Sequence, residues 1–121
     1  MDRKVLWVDE LALYGSFQHM LKLRGIETAL LDPTEDFTAS TEGFQLRAVV
    51  FEPFFVLDDR STHFKPILDR ILERAKQDNA VRIALSTQDT EYISRGYTLG
   101  IDYDYHVRKP SHLDQVLELI P

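Results

Sequence analysis

Hydrophobic residues along this chain follow two alternating patterns. Five short runs are rich in apolar residues, and the run before Glu52 is continuously apolar, which is typical of a strand covered on both faces of a parallel sheet. The five runs lie at about residues 5–8, 26–31, 47–52, 81–85 and 105–107. Between them, apolar positions recur every three or four residues, as on the buried face of a helix. This alternation predicts an α/β fold, a doubly wound sheet of five parallel strands with right-handed crossovers and helices on both faces.

Several helix ends carry recognisable signals. Gly25 follows the helical pattern of residues 11–24, where a left-handed C-cap belongs. Pro66 falls in the first turn of the helix after the third strand, a position that tolerates proline. A further helix is predicted over residues 90–99, and Ser111 is placed to cap the last one. These signals support the division into strands and helices.

Polar residues end four of the predicted strands. They are Asp9, Glu10, Glu52, Ser86 and Lys109. The carboxyl ends of parallel strands meet at one edge of the sheet, and open α/β folds bind ligands at that edge. A single polar residue there is more often a cap or a turn residue. Five from four strands of one sheet indicate a site.

The chemistry of this set suits phosphate and a divalent cation. Asp9, Glu10 and Glu52 supply hard oxygen ligands, which makes Mg²⁺ the candidate metal. Lys109 supplies a fixed cation and Ser86 a hydroxyl, so the set matches what phosphoryl transfer requires. The simpler alternative is that Lys109 only neutralises three crowded carboxylates.

Composition narrows the class of protein. The 121 residues suffice for a single domain over 1–121, and the absence of cysteine excludes disulfides and thiolate chemistry. No segment is long enough to cross a bilayer, so we expect no membrane contact and a cytoplasmic location. A net charge of −6 argues against nucleic-acid binding by this domain. Arg70, Arg74 and Lys76 alternate with acidic residues, which indicates a solvated helix face.

Four short motifs occur in a fixed order along the chain. They are Val5-Leu6-Trp7-Val8-Asp9-Glu10, Val49-Val50-Phe51-Glu52, Leu85-Ser86-Thr87 and Lys109-Pro110. With these motifs the chain resembles, over essentially its whole length, the receiver domain of two-component response regulators. The resemblance implies a flavodoxin-like (βα)5 fold and a role in which an acceptor aspartate takes a phosphoryl group from a histidine kinase with Mg²⁺ bound. It places Glu52 at the phosphoacceptor position, and Ser86 and Lys109 at the switch and phosphate-binding positions.

The chain departs from the receiver pattern at the acceptor. Glu52 replaces aspartate, and its extra methylene moves the carboxylate by about 1.5 Å. Such a shift matters because displacements near 1 Å can lower the rate of a positioned reaction by roughly a hundredfold. Pro53 removes the first backbone N–H after the acceptor, and Val56 stands where the family usually has proline. His106 and Tyr105 compete for the switch aromatic position, and we expect one of the two rings in the core.

These departures favour a pseudo-receiver. The leading hypothesis is a signalling module that is not phosphorylated, is not an enzyme, and acts through protein interactions, with Glu52 imitating part of the phosphorylated state. The alternative is a working phosphoacceptor that uses Mg²⁺ and a histidine-kinase donor. A phosphate-ester hydrolase is disfavoured, because no further nucleophile and no glycine-rich phosphate loop occurs.

The expected partners are proteins. One candidate surface combines the helix predicted after the fourth strand with the fifth strand and the last helix, and includes Tyr97, His106 and Arg108. In the receiver family this face serves dimers and output domains, so the implied partners are a homodimer mate, an attached output domain or a separate protein. Phe54 and Phe55 form a second candidate surface, unless they fold into the core. The sequence does not distinguish a stand-alone protein from a fragment.

Overall fold

A computed structural model of the chain describes residues 2–8, 11–31, 43–52, 64–86, 103–108 and 113–121. Its strands are β1 (Arg3–Val8), β2 (Glu27–Leu30), β3 (Gln45–Phe51), β4 (Val81–Ser86) and β5 (Tyr105–Arg108). Its helices are α1 (Leu11–Lys22), α2 (Phe64–Gln77) and α3 (Leu113–Leu119). The helix predicted over 90–99 and the predicted cap Ser111 lie outside the described residues. Within the described ranges, no helix is long and apolar enough to span a membrane.

The five strands form one parallel sheet in the order β2-β1-β3-β4-β5. This confirms the predicted α/β class, and the order is the flavodoxin-like one. The chain runs from β1 outward to β2 and then returns to the other side of β1 as β3. The strand order therefore reverses between β1 and β3. In open α/β sheets, this switch point is where ligands bind, outside the carboxyl ends of the strands.

The central strand β3 is buried on both faces, as its apolar run predicts. Ala48 and Val50 belong to the core beneath α1 and α3, whereas Val49 and Phe51 belong to the core beneath α2. All four side chains are fully buried. Because strand side chains alternate between faces, this one run of residues joins the two cores.

A β-bulge interrupts the pairing of β1 with β3. The register shifts between Lys4 and Val5, and Arg47 is the extra residue of β3. Its guanidinium donates a hydrogen bond of 2.9 Å to the carbonyl oxygen of Pro121, just beyond α3. A bulge redirects the side chain of the inserted residue. Here it links the start of the central strand to the end of the last helix.

The end of α1 has the predicted glycine cap. Gly25 has φ of 75°, in the left-handed region. The N–H of Ile26 donates to the carbonyl of Leu21 at 3.0 Å, and the N–H of Gly25 donates to Lys22 at 3.0 Å. These are the two bonds of a Schellman motif. Ile26 and Leu21 also pack in the same hydrophobic cluster, as that motif usually shows.

The end of α2 uses the same motif without glycine, and this predicts opposite effects for two substitutions. Asn79 has φ of 55°, and the N–H of Ala80 donates to Ala75 at 2.8 Å. Asn79→Gly should raise the free energy of unfolding by about 0.5 kcal/mol, because glycine adopts this conformation without strain. Gly25→Ala should lower it by about 1 kcal/mol. A Cβ at Gly25 would meet nothing within 4 Å, so backbone conformation alone causes that loss. Urea unfolding measures both, and an unchanged midpoint for Gly25→Ala would contradict the assignment.

Two expectations from the sequence are wrong. Both candidate switch rings are exposed, so neither lies in the core: Tyr105 is 48% exposed, and His106 is exposed as well. Among the three residues of β5 whose side chains are described, Val107 is the buried one. The charged face of α2 is also not wholly solvated. Arg74 donates to a carboxylate oxygen of Asp78 at 3.0 Å and to the carbonyl of Phe44 at 2.6 Å, so it ties the helix to the segment before β3.

Candidate functional site

Glu52 lies at the switch point of the sheet. It directly follows Phe51, the last residue of β3. Its N–H donates a hydrogen bond of 3.1 Å to the carbonyl of Val8, the last residue of β1. The backbone of Glu52 is therefore fixed between the two strands at which the strand order reverses. This is the ligand-binding position of an open α/β sheet.

The Glu52 side chain is buried. It is 5% exposed, and it is the one charged residue that the described part of the chain buries to this extent. Burying an ionised carboxylate is costly unless hydrogen bonds or an opposite charge compensate for it. A protein retains such a residue where it is paired or where it serves a function. The sequence offers Lys109 as the opposite charge, but Lys109 lies outside the described residues.

The strands β1, β4 and β5, like β3, end at the edge where the sequence places polar residues. Val8 lies opposite Phe51, so β1 and β3 end side by side. Ser86 lies opposite Arg108, so β4 and β5 also end together. The structure thus places the ends of β1, β3, β4 and β5 along one edge, as the sequence predicts. The backbone of Ser86, the last residue of β4, lies at that edge.

The predicted site is described in part. Side chains are described for Glu52, His106 and Tyr105, and the backbone alone for Ser86 and Arg108. Outside the described residues lie Asp9, Glu10, Phe54, Phe55, Tyr97 and Lys109. The prediction that Asp9, Glu10 and Lys109 meet Glu52 therefore stays a prediction.

The donor set at this edge suits a hard cation. Glu52 supplies a carboxylate beside the end of β1, and Asp9 and Glu10 follow that strand in the sequence. Three carboxylates are the kind of ligands that Mg²⁺ takes. Within residues 2–8, 11–31, 43–52, 64–86, 103–108 and 113–121, no group of three metal-ligating side chains is present. Two of the three predicted ligands lie outside those ranges.

Comparisons with known proteins identify the fold. No family model and no curated protein matches the sequence. One similar structure is a response regulator protein from Burkholderia pseudomallei, crystallised with a phosphorylated aspartic acid, a calcium ion and citrate. It matches with a TM-score of 0.67 and 14% sequence identity, and the match covers 99% of this chain and 67% of that protein. A second is the chemotaxis protein CheY4 from Vibrio cholerae, with a TM-score of 0.67 and 19% sequence identity. This match covers 98% of this chain and 95% of that protein. The chain has a receiver-domain fold.

Within this receiver fold, Glu52 stands immediately after the third strand and touches the end of the first. The prediction from the sequence motifs that Glu52 is at the phosphoacceptor position stays a prediction. At 14% and 19% identity the solved structures bear on the fold alone.

Sequence reasoning predicted a site at the ends of the strands and did not consider the opposite edge of the sheet. There, Arg82 and Asp104 join the starts of β4 and β5 through an ion pair of 3.1 Å. One signal was available, since each residue lies within two positions of the start of a predicted strand. The starts of parallel strands share an edge just as their ends do.

Proposed function

We propose that this chain is a receiver-like signal-transduction domain that is not phosphorylated and works as a protein-interaction module. Glu52 replaces the acceptor aspartate, and no catalytic role is assigned to the domain. The observation that carries the proposal is the buried Glu52 carboxylate, 5% exposed and bound through its backbone to Val8 at the switch point. We expect a cytoplasmic location.

The burial of Glu52 supports the absence of phosphorylation. Phosphoryl transfer needs the donor to approach a carboxylate oxygen in line with the leaving group. A side chain that is 5% exposed offers little surface for that approach. Pro53 also lacks the N–H that would hold an oxygen of the incoming phosphoryl group.

Glu52 can serve as a fixed substitute for the phosphorylated state. In this proposal, the longer side chain of Glu52 brings its carboxylate within reach of the Ser86 hydroxyl and of Lys109, which the sequence places at the neighbouring strand ends. One negative charge stands there, compared with about two on a phosphoryl group. The substitute is therefore partial. It holds the domain in one conformation without a kinase.

Mg²⁺ is compatible with this proposal but is not central to it. Asp9, Glu10 and Glu52 would hold the ion through carboxylate oxygens. When bound, the ion would supply neutralisation of negative charge at the edge of the sheet. The three carboxylates would position the ion, and its positive charge would relieve the repulsion between them.

The experiment that tests this proposal compares the natural chain with Glu52→Asp. Both proteins are incubated with Mg²⁺ and a small acyl phosphate, and intact mass reports any added phosphoryl group. We expect no modification of the natural chain, because the Glu52 carboxylate is buried and is displaced by one methylene from the position of an aspartate carboxylate. Modification of Glu52→Asp alone would show that the surrounding groups survive and that Glu52 replaces the phosphate.

Two controls make the result interpretable. Glu52→Gln keeps the size of the side chain and removes the carboxylate, so any mass gain in that variant comes from another residue. Circular dichroism establishes that each variant is folded. A stable, Mg²⁺-dependent phosphorylation of Glu52 in the natural chain would contradict the proposal. If neither protein is modified, the proposal of an interaction module stands, and the groups around residue 52 no longer support phosphorylation.

The second candidate is a working phosphoacceptor with an unusual acceptor residue. It is favoured by retention of the residues that the receiver resemblance assigns to Mg²⁺ and phosphate, namely Asp9, Glu10, Ser86 and Lys109. The fold neighbour from Burkholderia pseudomallei carries a phosphorylated aspartic acid and a calcium ion. In this case the donor is a histidine kinase, and the natural chain gains the phosphoryl mass.

The proposed partners are proteins, either an attached output domain, a separate protein or a second copy of this chain. We place the contact on the helix predicted after β4, on β5 and on α3, and we assign no nucleic-acid or membrane contact to this domain. The support is that Tyr105 and His106 are both exposed on β5, the edge strand of the sheet. Light scattering of the natural chain tests the homodimer, and a monomer at every concentration would exclude it.

A further inference from the structure

One side of the strand β2 faces away from the sheet. This strand stands at the end of the sheet, and among the described strands it pairs with β1 alone. The N–H of Leu31 donates to the carbonyl of Trp7 in β1 at 2.8 Å. The backbone groups of successive residues in a strand point alternately to its two sides. The N–H and C=O groups of Thr28 and Leu30 therefore point away from β1, along what we call the outer edge of β2.

Helix α1 lies beside this outer edge. Tyr14, Gln18 and Lys22 are spaced four residues apart, so they form one stripe on the helix. The Tyr14 hydroxyl lies 3.1 Å from the hydroxyl of Thr28, and Gln18 and Lys22 line a groove of about 500 Å³ with the first residues of β2. The stripe is about 12 Å long and the strand about 13 Å long. The groove is thus bordered by two elongated elements, a helix stripe and a strand edge.

Lys22 supplies this groove with a cation that is available to a ligand. The other two charged residues of the lining, Lys4 and Glu27, form an ion pair of 3.9 Å. The ammonium of Lys4 also lies 4.8 Å from the centre of the Phe44 ring. Lys22 is exposed, and it has no hydrogen bond or ion pair with the described residues. The charge of Glu27 is therefore offset by Lys4, and the charge of Lys22 is left to attract an anion.

We propose that an extended segment of a partner protein, with a carboxylate side chain, binds as an added strand along the outer edge of β2. Its backbone exchanges hydrogen bonds with Thr28 and Leu30, and its carboxylate pairs with Lys22 on the face of α1. The backbone bonds select an extended peptide, and the contact with α1 selects its side chain. Because β2 and β5 lie at opposite ends of the sheet, this surface is separate from the one proposed around β5. The inference does not depend on the role of Glu52.

The test is a titration of the full chain, labelled with ¹⁵N, with the capped pentapeptide Thr-Val-Glu-Val-Thr. We expect saturable shifts of the Thr28 and Leu30 amides and slower hydrogen exchange at both, because the peptide bonds their backbone groups. The Ala29 amide faces β1 and should change least. The same peptide with proline in place of both valines lacks two donors and resists strand pairing. It should protect neither amide, and equal protection by the two peptides would contradict strand addition.

Two charge reversals test the pairing with Lys22. Lys22→Glu should weaken peptide binding about tenfold. Arg70→Glu is the matched control, since Arg70 is exposed in α2 and lies outside this groove. It changes the net charge equally and should alter the affinity by less than about twofold. Equal losses of affinity in the two variants would contradict a specific contact with Lys22.

A second copy of this chain is the competing occupant of the outer edge. Hydrogen exchange of the natural chain without peptide, measured over a range of protein concentrations, distinguishes it. For a partner segment, we expect exchange at Thr28 and Leu30 to be independent of concentration. Protection of these two amides that grows with protein concentration would mean self-pairing and would overturn the assignment, as would the absence of any saturable shift with the peptide.

Discussion

Replacing Trp7 by alanine lowers the free energy of unfolding by about 3–5 kcal/mol. Trp7 is fully buried in β1, and its ring centroid lies 4.4 Å from that of Phe17 in α1. The substitution therefore removes a large aromatic contact between the sheet and its first helix and leaves a cavity. Domains of this size have total stabilities of roughly 5–15 kcal/mol, so the loss is a large part of the whole.

Denaturant unfolding followed by circular dichroism measures this loss. Fluorescence is unsuitable, because Trp7 is the single tryptophan of the chain. Leu23→Ala is the matched control, since Leu23 is 75% exposed and its truncation should change stability by less than about 0.5 kcal/mol. Trp7→Phe should fall between the two. Equal midpoints for Trp7→Ala and Leu23→Ala would contradict the central position of the ring.

Replacing Asp78 by alanine should lower the free energy of unfolding by about 2 kcal/mol. Asp78 Oδ2 accepts hydrogen bonds from the backbone N–H of Leu46 at 2.8 Å and from Arg74 Nε at 3.0 Å. Its side chain is 11% exposed, so water replaces these bonds poorly. The substitution leaves the Leu46 N–H without this acceptor at the start of β3 and removes the ion pair of Arg74.

Two further variants divide the Asp78 effect into its parts. Asp78→Asn keeps an acceptor oxygen for Leu46 and removes the negative charge, so it should retain part of the stability. Glu73→Ala removes an exposed carboxylate from the same helix and should change stability by less than about 0.5 kcal/mol. Thermal and urea unfolding of the set provide the comparison. An Asp78→Ala variant as stable as Glu73→Ala would show that the contact with β3 is not a stabilising one.

The features that the sequence predicts well are those with a local signal. The continuous apolar run before Glu52 indicates a strand buried on both faces, and β3 is such a strand. Gly25 marks the end of α1 because few residues other than glycine adopt its conformation easily. The placement of Glu52 at the edge of the sheet follows from the same run, because parallel strands end together.

The features that the sequence hides depend on partners far along the chain. Arg74 and Asp78 look like a surface pair on one helix, yet Asp78 binds the backbone of β3. The bulge at Arg47 leaves no trace in the pattern, since the residues on either side of it are both apolar. The backbone bond from Glu52 to Val8 is equally absent from the pattern, because its two residues lie far apart along the chain.

Parallel pairing also determines when the candidate site forms during folding. The strands of each described pair are joined by long connections and not by a hairpin; Val5 of β1, for example, lies opposite Ala48 of β3. Such loops must close before the contacts that stabilise them exist, so folds of this kind form more slowly than helical bundles. The bond from Glu52 to Val8 joins the same two strands. In a newly synthesised chain, this bond therefore forms, and Glu52 takes its place between the two strands, only when the central strands have paired.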